Sequence, residues 1–230
     1  MKRYRALFIA TAVFICLYYP HLAAAIAIGQ TDTFEDGTTQ NWVVGLLGAT
    51  HPAPPANIAD GGPLGAEDNY LQLTSVGGSG AGNRMAVINL AQWAGNYSAA
   101  GVTDITMNLI NLGATDLFIR LYLENPEGGP PNDQAITESF FLPAGDGWTD
   151  ARFSIHPSAL IALLGEVDTL LSNVTALRII HSPDEDFRGP PIVAMLGVDN
   201  ITATIGSIPE PSVLALLAVG LFGLGLRKQK

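Results

Sequence analysis

In DLFIRLYLE, residues 116–124, Leu117, Ile119, Leu121 and Leu123 alternate with Phe118, Arg120, Tyr122 and Glu124. Successive side chains of a strand point to opposite faces, so the apolar set faces a core and the others face away. TDARFSI repeats the pattern, with Ala151, Phe153 and Ile155 inward and Arg152, Ser154 and His156 outward, and in ALRIIH Arg178 stands opposite Leu177 and Ile179. Aromatic rings stack against the C–H faces of sugars, and guanidinium groups donate paired hydrogen bonds to hydroxyls or carboxylates. Phe118, Arg120, Tyr122, Arg152 and Arg178 are therefore expected to share one sheet face that holds a saccharide. The same pattern also fits a plainer role, in which these arginines pair with neighbouring carboxylates and cover the sheet.

Other residue types give less. Glycosidase chemistry needs two carboxylates about 5 to 10 Å apart, and in a chain this acidic some pair meets that distance by chance. There is no nucleophile elbow, and His51, His156 and His181 lack zinc-ligand spacing. DGGPLGAED is rich in glycine but lacks the Lys and Ser or Thr of a phosphate loop. The acidic SPDEDFRGPP reads as a solvated loop or as a cation-attracting one. Trp42, Trp93 and Trp148 fit either a binding platform or a core, and of the three Trp148, beside TDARFSI, is expected to pack in the core.

The two ends have a different character. Lys2, Arg3 and Arg5 precede the apolar LFIATAVFICLYY, and AAAIA supplies small residues for cleavage after Ala25 or Ala27, the pattern of a secretory signal. The only cysteine, Cys16, lies inside it. At the other end Val213 to Leu226 carries no charge and is followed by Arg227, Lys228 and Lys230. As a helix this run is about 21 Å long against roughly 30 Å of hydrocarbon, a marginal membrane span. The basic tail would stay cytoplasmic while the bulk of the chain lies across the membrane. Pro209, Glu210 and Pro211, then the short glycine-containing run, then Arg227 and Lys228, resemble the PEP-CTERM sorting signal of Gram-negative bacteria. The resemblance implies recognition by an exosortase, cleavage near the motif, transient anchoring in the inner membrane, and delivery to the cell surface or extracellular matrix.

Between the ends the chain has five basic residues, all arginine, against twenty acids, and neither lysine nor cysteine. Such a surface repels phosphate backbones, which argues against nucleic acid as a partner, and it attracts divalent cations. Disulfides cannot hold this part together even in an oxidising compartment.

The elements that position these residues read as all-β. NYLQLTS, RMAVINL, DITMNLI, DLFIRLYLE, TESFFL, TDARFSI, ALRIIH and VAMLGVDNITAT are predicted strands, separated by turns such as NPEGGPPND and PAGDG. One short helix is predicted, opened by Pro157, carried by Leu160, Leu163 and Leu164, and stopped by Gly165. The expected architecture is an antiparallel jelly-roll β-sandwich over residues 28–206, preceded by a signal helix in 1–27 and followed by the sorting signal with its hydrophobic helix in 207–230.

The order DTFEDGTTQNW, DNYLQL, GWTDARFSI and GVDNITAT resembles jelly-roll, galactose-binding-like carbohydrate modules. That resemblance implies a structural calcium joining the first and last strands, held by Glu35 or Asp36 with Asp199 and completed by other oxygens. The functional expectation is an exported surface or matrix protein that binds polysaccharide and is not an enzyme. The alternatives are a structural or adhesive calcium-stabilised protein and a small glycan hydrolase.

Overall fold

A computed structural model describes residues 26–45, 51–78, 83–125 and 131–206. The expected hydrophobic helix and nearly all of the signal segment lie outside the described residues. In chain order the elements are β1 (Thr31–Asp32), β2 (Ala56–Ile58), β3 (Tyr70–Val76), β4 (Ala86–Asn89), α1 (Tyr97–Ala100), β5 (Asp104–Asn111), β6 (Leu117–Asn125), β7 (Asp133–Ile136), β8 (Phe140–Leu142), β9 (Thr149–Ser154), β10 (Ile161–Leu164), α2 (Val167–Ser172), β11 (Ala176–His181) and β12 (Val193–Thr204).

The strands form two six-stranded antiparallel sheets. The first runs β2-β3-β12-β5-β9, with β1 also paired to β12, and the second runs β10-β7-β6-β11-β4, with β8 paired to β6. The last strand thus closes the first sheet from its middle, between β3 and β5. The predicted alternation explains why these strands face each other: Ile105, Met107 and Leu109, Leu117, Ile119, Leu121 and Leu123, Ala151 and Phe153, and Leu177 and Ile179 all point into one buried core. This is the expected β-sandwich. No helix among the described residues is long and apolar enough to cross a membrane.

The predicted helix is displaced. Pro157 does open one turn, in which Ala159 N and Leu160 N both donate to His156 O, but Ile161–Leu164 then extends as β10 and pairs with β7. Leu160 enters the core while Ile161 and Leu163 pack on the outer face of the second sheet, so the leucines serve two surfaces instead of one helical stripe. Gly165, at φ +65°, turns the chain where a Cβ would collide with Asp133 Oδ1, and α2 starts only after it. The other helix, α1, is capped by Asn96, whose side chain accepts from Ala99 N at 2.7 Å.

Candidate functional site

β6 carries Phe118, Arg120, Tyr122 and Glu124 on the outer face of the second sheet, and its register with β11 sets Arg178 directly opposite Tyr122. Four of the five expected binding residues are thus brought together. Arg152 is not among them: it stands on β9 of the first sheet and is bound across to Asp104 of β5, Nε to Oδ1 at 2.6 Å. Alternation distinguishes inward from outward, but it does not say to which sheet a strand belongs, and the single face expected from the sequence is in fact two.

Within the four, the roles divide by burial. Arg120 is buried, and its guanidinium donates to three backbone carbonyls, Nη1 to Thr137 O at 2.7 Å, Nε to Ser182 O at 3.0 Å and Nη2 to Pro183 O at 3.4 Å. Two of those carbonyls begin the segment 182–191, a strap that folds onto the face through Phe187 and returns beside His181 at Gly189, where Arg84 Nη1 donates to Gly189 O. Tyr122 is also fully buried, packed with Ile136 and Ile180 and against Phe187 of the strap. The cover forms a ladder: Arg188 Cζ lies 4.7 Å from the Phe187 centroid, Phe187 and Tyr122 are 6.1 Å apart, and Arg178 Cζ lies 5.2 Å from the Tyr122 centroid. Arg178 is fixed in turn by Glu124 Oε1, at 2.6 Å from Nη2 and 3.1 Å from Nε. Burial and the adjacent Glu124 charge push the Tyr122 phenol well above its ordinary range. At the strap's root burial lowers the His181 pKa, and its Nδ1 accepts from Phe118 N at 3.0 Å.

What this face offers to solvent therefore differs from the sequence expectation. Arg120 and Tyr122 lie beneath the strap and support it. Phe118 is half-buried, its ring 5.1 Å from that of Phe141, which is 51% exposed, and Phe187, Arg178 and exposed Arg188 complete the accessible set. Phe141, Phe187 and Arg188 were not among the expected binding residues. The aromatic–basic pair inside SPDEDFRGPP was the signal for the last two, and only the pairing of Phe118 with Phe141 reveals the first.

Of the three expected calcium ligands, Asp36 stands apart from Glu35 and Asp199. Asp36 is exposed and spends its oxygens on its own turn, accepting from Thr38 N at 2.9 Å and Thr38 Oγ1 at 2.8 Å. Those hydrogen bonds hold its carboxyl below the usual range. Asp199 is buried, and burial first, then the charges of Asp68 and Glu35, raise its pKa to about 7. Each of these three carboxylates adjoins a left-handed non-glycine residue: Phe34 beside Glu35, Glu67 beside Asp68 and Asn200 beside Asp199. Backbone strain of about 1 to 3 kcal/mol per residue is thereby gathered beside one acidic locus. Among the described residues no group of three or more His, Cys, Asp or Glu side chains is arranged to hold a metal ion.

Trp42 and Trp93 are core residues, with both indole N–H groups donating to Asp32 Oδ2 at 2.8 and 2.7 Å. Trp148, expected in the core, lies half-buried on the outer side of the first sheet.

With this geometry in place, comparison with known proteins adds two findings. Residues 207–230 match the PEP-CTERM protein-sorting motif. The fold is similar to the family 11 carbohydrate-binding module from Clostridium thermocellum solved in complex with a β-1,3-1,4-mixed-linked tetrasaccharide, with a TM-score of 0.52 and 16% identity over 77% of this chain and 96% of that one. It is likewise similar to the solution structure of CtCBM11, with a TM-score of 0.53 and 14% identity over 81% of this chain and 99% of that one. A third similar structure is an exo-β-agarase, with a TM-score of 0.56 and 11% identity over 79% of this chain and 25% of that one. Comparison with curated proteins finds no match. At these identities the likeness establishes the β-sandwich fold alone.

Proposed function

We propose that this is an exported surface or matrix protein whose sandwich binds polysaccharide on the outer face of the second sheet, with its C-terminal segment serving as the sorting signal. The observation that carries the binding reading is the accessible aromatic set Phe118, Phe141 and Phe187 on one face together with Arg178 and Arg188. Stacking surface and planar donors are the two things a sugar chain needs from a protein. Arg120 and Tyr122 act beneath as positioning residues, one tying down the strap and the other seating Phe187. Binding rather than catalysis is favoured because two of the similar structures are carbohydrate-binding modules.

The tail motif supports processing by an exosortase after transient retention in the inner membrane of a Gram-negative cell. A structural calcium remains part of the proposal, with Asp36 left out and Glu35 and Asp199 as its carboxylates. A divalent cation would neutralise the mutual repulsion that bears on Asp199. Backbone carbonyls would complete the shell, since the carboxylates alone are too few.

The binding reading is tested by electrophoresis of the full chain through gels containing the producing cell's own polysaccharide. Retardation of the wild type, reduced about tenfold in apparent affinity by Phe187→Ala and by Arg178→Ala, is the expected result. Unchanged retardation in both variants would remove this face from the function and leave the calcium-stabilised adhesive role.

A further inference from the structure

The residues outside this face that are built most like a binding platform lie on the opposite sheet. Thr149 pairs with Leu109, so Trp148 stands beside Ile110 at the β9 edge, and Gly197 of the central strand pairs with Ile110 on one side and Gln72 on the other. A Cβ placed on Gly197 would come within 2.5 Å of Ile110 Cγ2, 3.1 Å of Trp148 Cη2 and 3.3 Å of Tyr70 Cδ2. The indole therefore reaches from the edge across β5 to β12, two strand spacings or roughly 10 Å, which requires it to lie along the sheet instead of standing up from it. Only glycine at 197 leaves room for that. The ring is fixed at two further points: its N–H donates to Gly61 O at 3.0 Å, and Tyr70 meets it in an edge-to-face contact, centroids 5.4 Å apart at 77°. The glycine-rich DGGPLGAED loop thus has a role, since its second residue orients the indole. A large aromatic group held in one orientation while keeping part of its surface in solvent is pre-organised for a ligand.

The polar groups nearby select the ligand. On the neighbouring row of the sheet Asn108 Nδ2 donates to Asp150 Oδ1 at 2.5 Å and Asn108 Oδ1 accepts from Asn200 Nδ2 at 3.0 Å, with Asp150 itself exposed. Asp60 and Asp146, in the flanking loops, are exposed as well. Among the described residues the arginine on this face, Arg152, is bound to Asp104. Carboxylate and amide acceptors beside an aromatic ring suit the hydroxyls of a neutral sugar, and the surrounding negative field repels a uronic or sulfated chain.

We propose that Trp148, Tyr70 and Asp150 over Gly197 form a second saccharide site, one that takes an uncharged sugar ring. It uses no residue of the Phe118 and Phe187 face, so it stands whether or not that face binds. Where both operate, one molecule holds two polysaccharide chains on opposite sides.

The test is electrophoresis of the full chain through gels containing mixed-linked β-1,3-1,4-glucan, xylan or dextran as neutral probes, and polygalacturonate as the acidic one. At least one neutral polymer should retard the wild type and Phe187→Ala equally, and Trp148→Phe and Asp150→Ala should each weaken that retardation by about five- to tenfold. Because Trp42 and Trp93 are sealed in the core, a polymer-induced change in tryptophan emission reports Trp148 and should vanish in Trp148→Phe. Asp150 is exposed, so its variant keeps the test valid if the tryptophan variant folds poorly. The proposal is overturned if no neutral polymer retards the wild type, if the Trp148 and Asp150 variants bind as well as the wild type, or if only polygalacturonate competes at Trp148.

Discussion

Two buried carboxylates show how the same residue type is put to opposite uses. Asp32 accepts from both core indoles and from Gln92, so its removal leaves two buried N–H donors without partners. Asp32→Ala is expected to cost about 3 kcal/mol, a fall of about 10 °C in melting temperature. Asp199 accepts from Asn200 N at 2.7 Å and from Asn200 Nδ2 at 2.9 Å, and its titration bears on stability. Its pKa in the fold is about 7 against 3.8 for the free side chain, so the folded protein keeps a proton that the unfolded chain releases. By linkage this group favours the fold less and less as pH rises from about 4 to about 7, and has no further effect above that. His181, whose pKa burial lowers, contributes with the opposite sign below about pH 6.5, so the useful quantity is a difference. In chelator, Asp199→Asn should become progressively more stable than the wild type from pH 4 to 7. Added calcium should reverse that order by favouring the charged carboxylate. If calcium leaves the difference untouched, the locus holds no metal.

At the scale of elements the strap has the clearest consequence. Arg120→Ala removes the clamp on Ser182 O and Pro183 O while leaving the leucines of β6 in place, so amide exchange across 183–189 should accelerate at least tenfold while β12 stays protected. Saccharide binding should weaken with it, since Phe187 loses its seat. Gly189→Ala should act similarly, because at φ +61° a Cβ collides with His181 O. Such long-range clasps explain what the sequence did and did not reveal. Strands whose inner face is continuous, such as β5, β6, β9 and β11, announce themselves by alternation. β10 and the ten-residue later start of the helix do not, because Leu160, Leu163 and Leu164 fit a helical stripe as readily as a short edge strand, and only pairing with β7 decides between them. Arg120 and Tyr122 were legible as outward-facing, but the strap that buries them comes from a segment some sixty residues away, whose acidic composition reads as solvent-exposed.

For the whole molecule, the ends of the sandwich bear on processing. Ile26 is buried against Gly95 and its N–H donates to Ala94 O, so it belongs to the core. Of the two signal-cleavage points expected from the sequence, the one after Ala25 keeps this residue and the one after Ala27 discards it. Mass spectrometry of the exported protein should therefore find Ile26 first and a C-terminal end close to Pro209; an intact RKQK end on matured protein would rule out cleavage by an exosortase. At the other terminus, β12 runs twelve residues to Thr204, hydrogen-bonded to β3 on one side and to β5 on the other. For a protein held by its C-terminal end while its faces grip polymer, tension enters along the axis of that strand. The ladders on both flanks are then loaded in shear, many hydrogen bonds at once, and not peeled one by one. The strand that completes the fold last in sequence is thus the one best placed to carry mechanical load, and a break in its pairing, rather than loss of a sugar contact, would set the force at which such a tether fails.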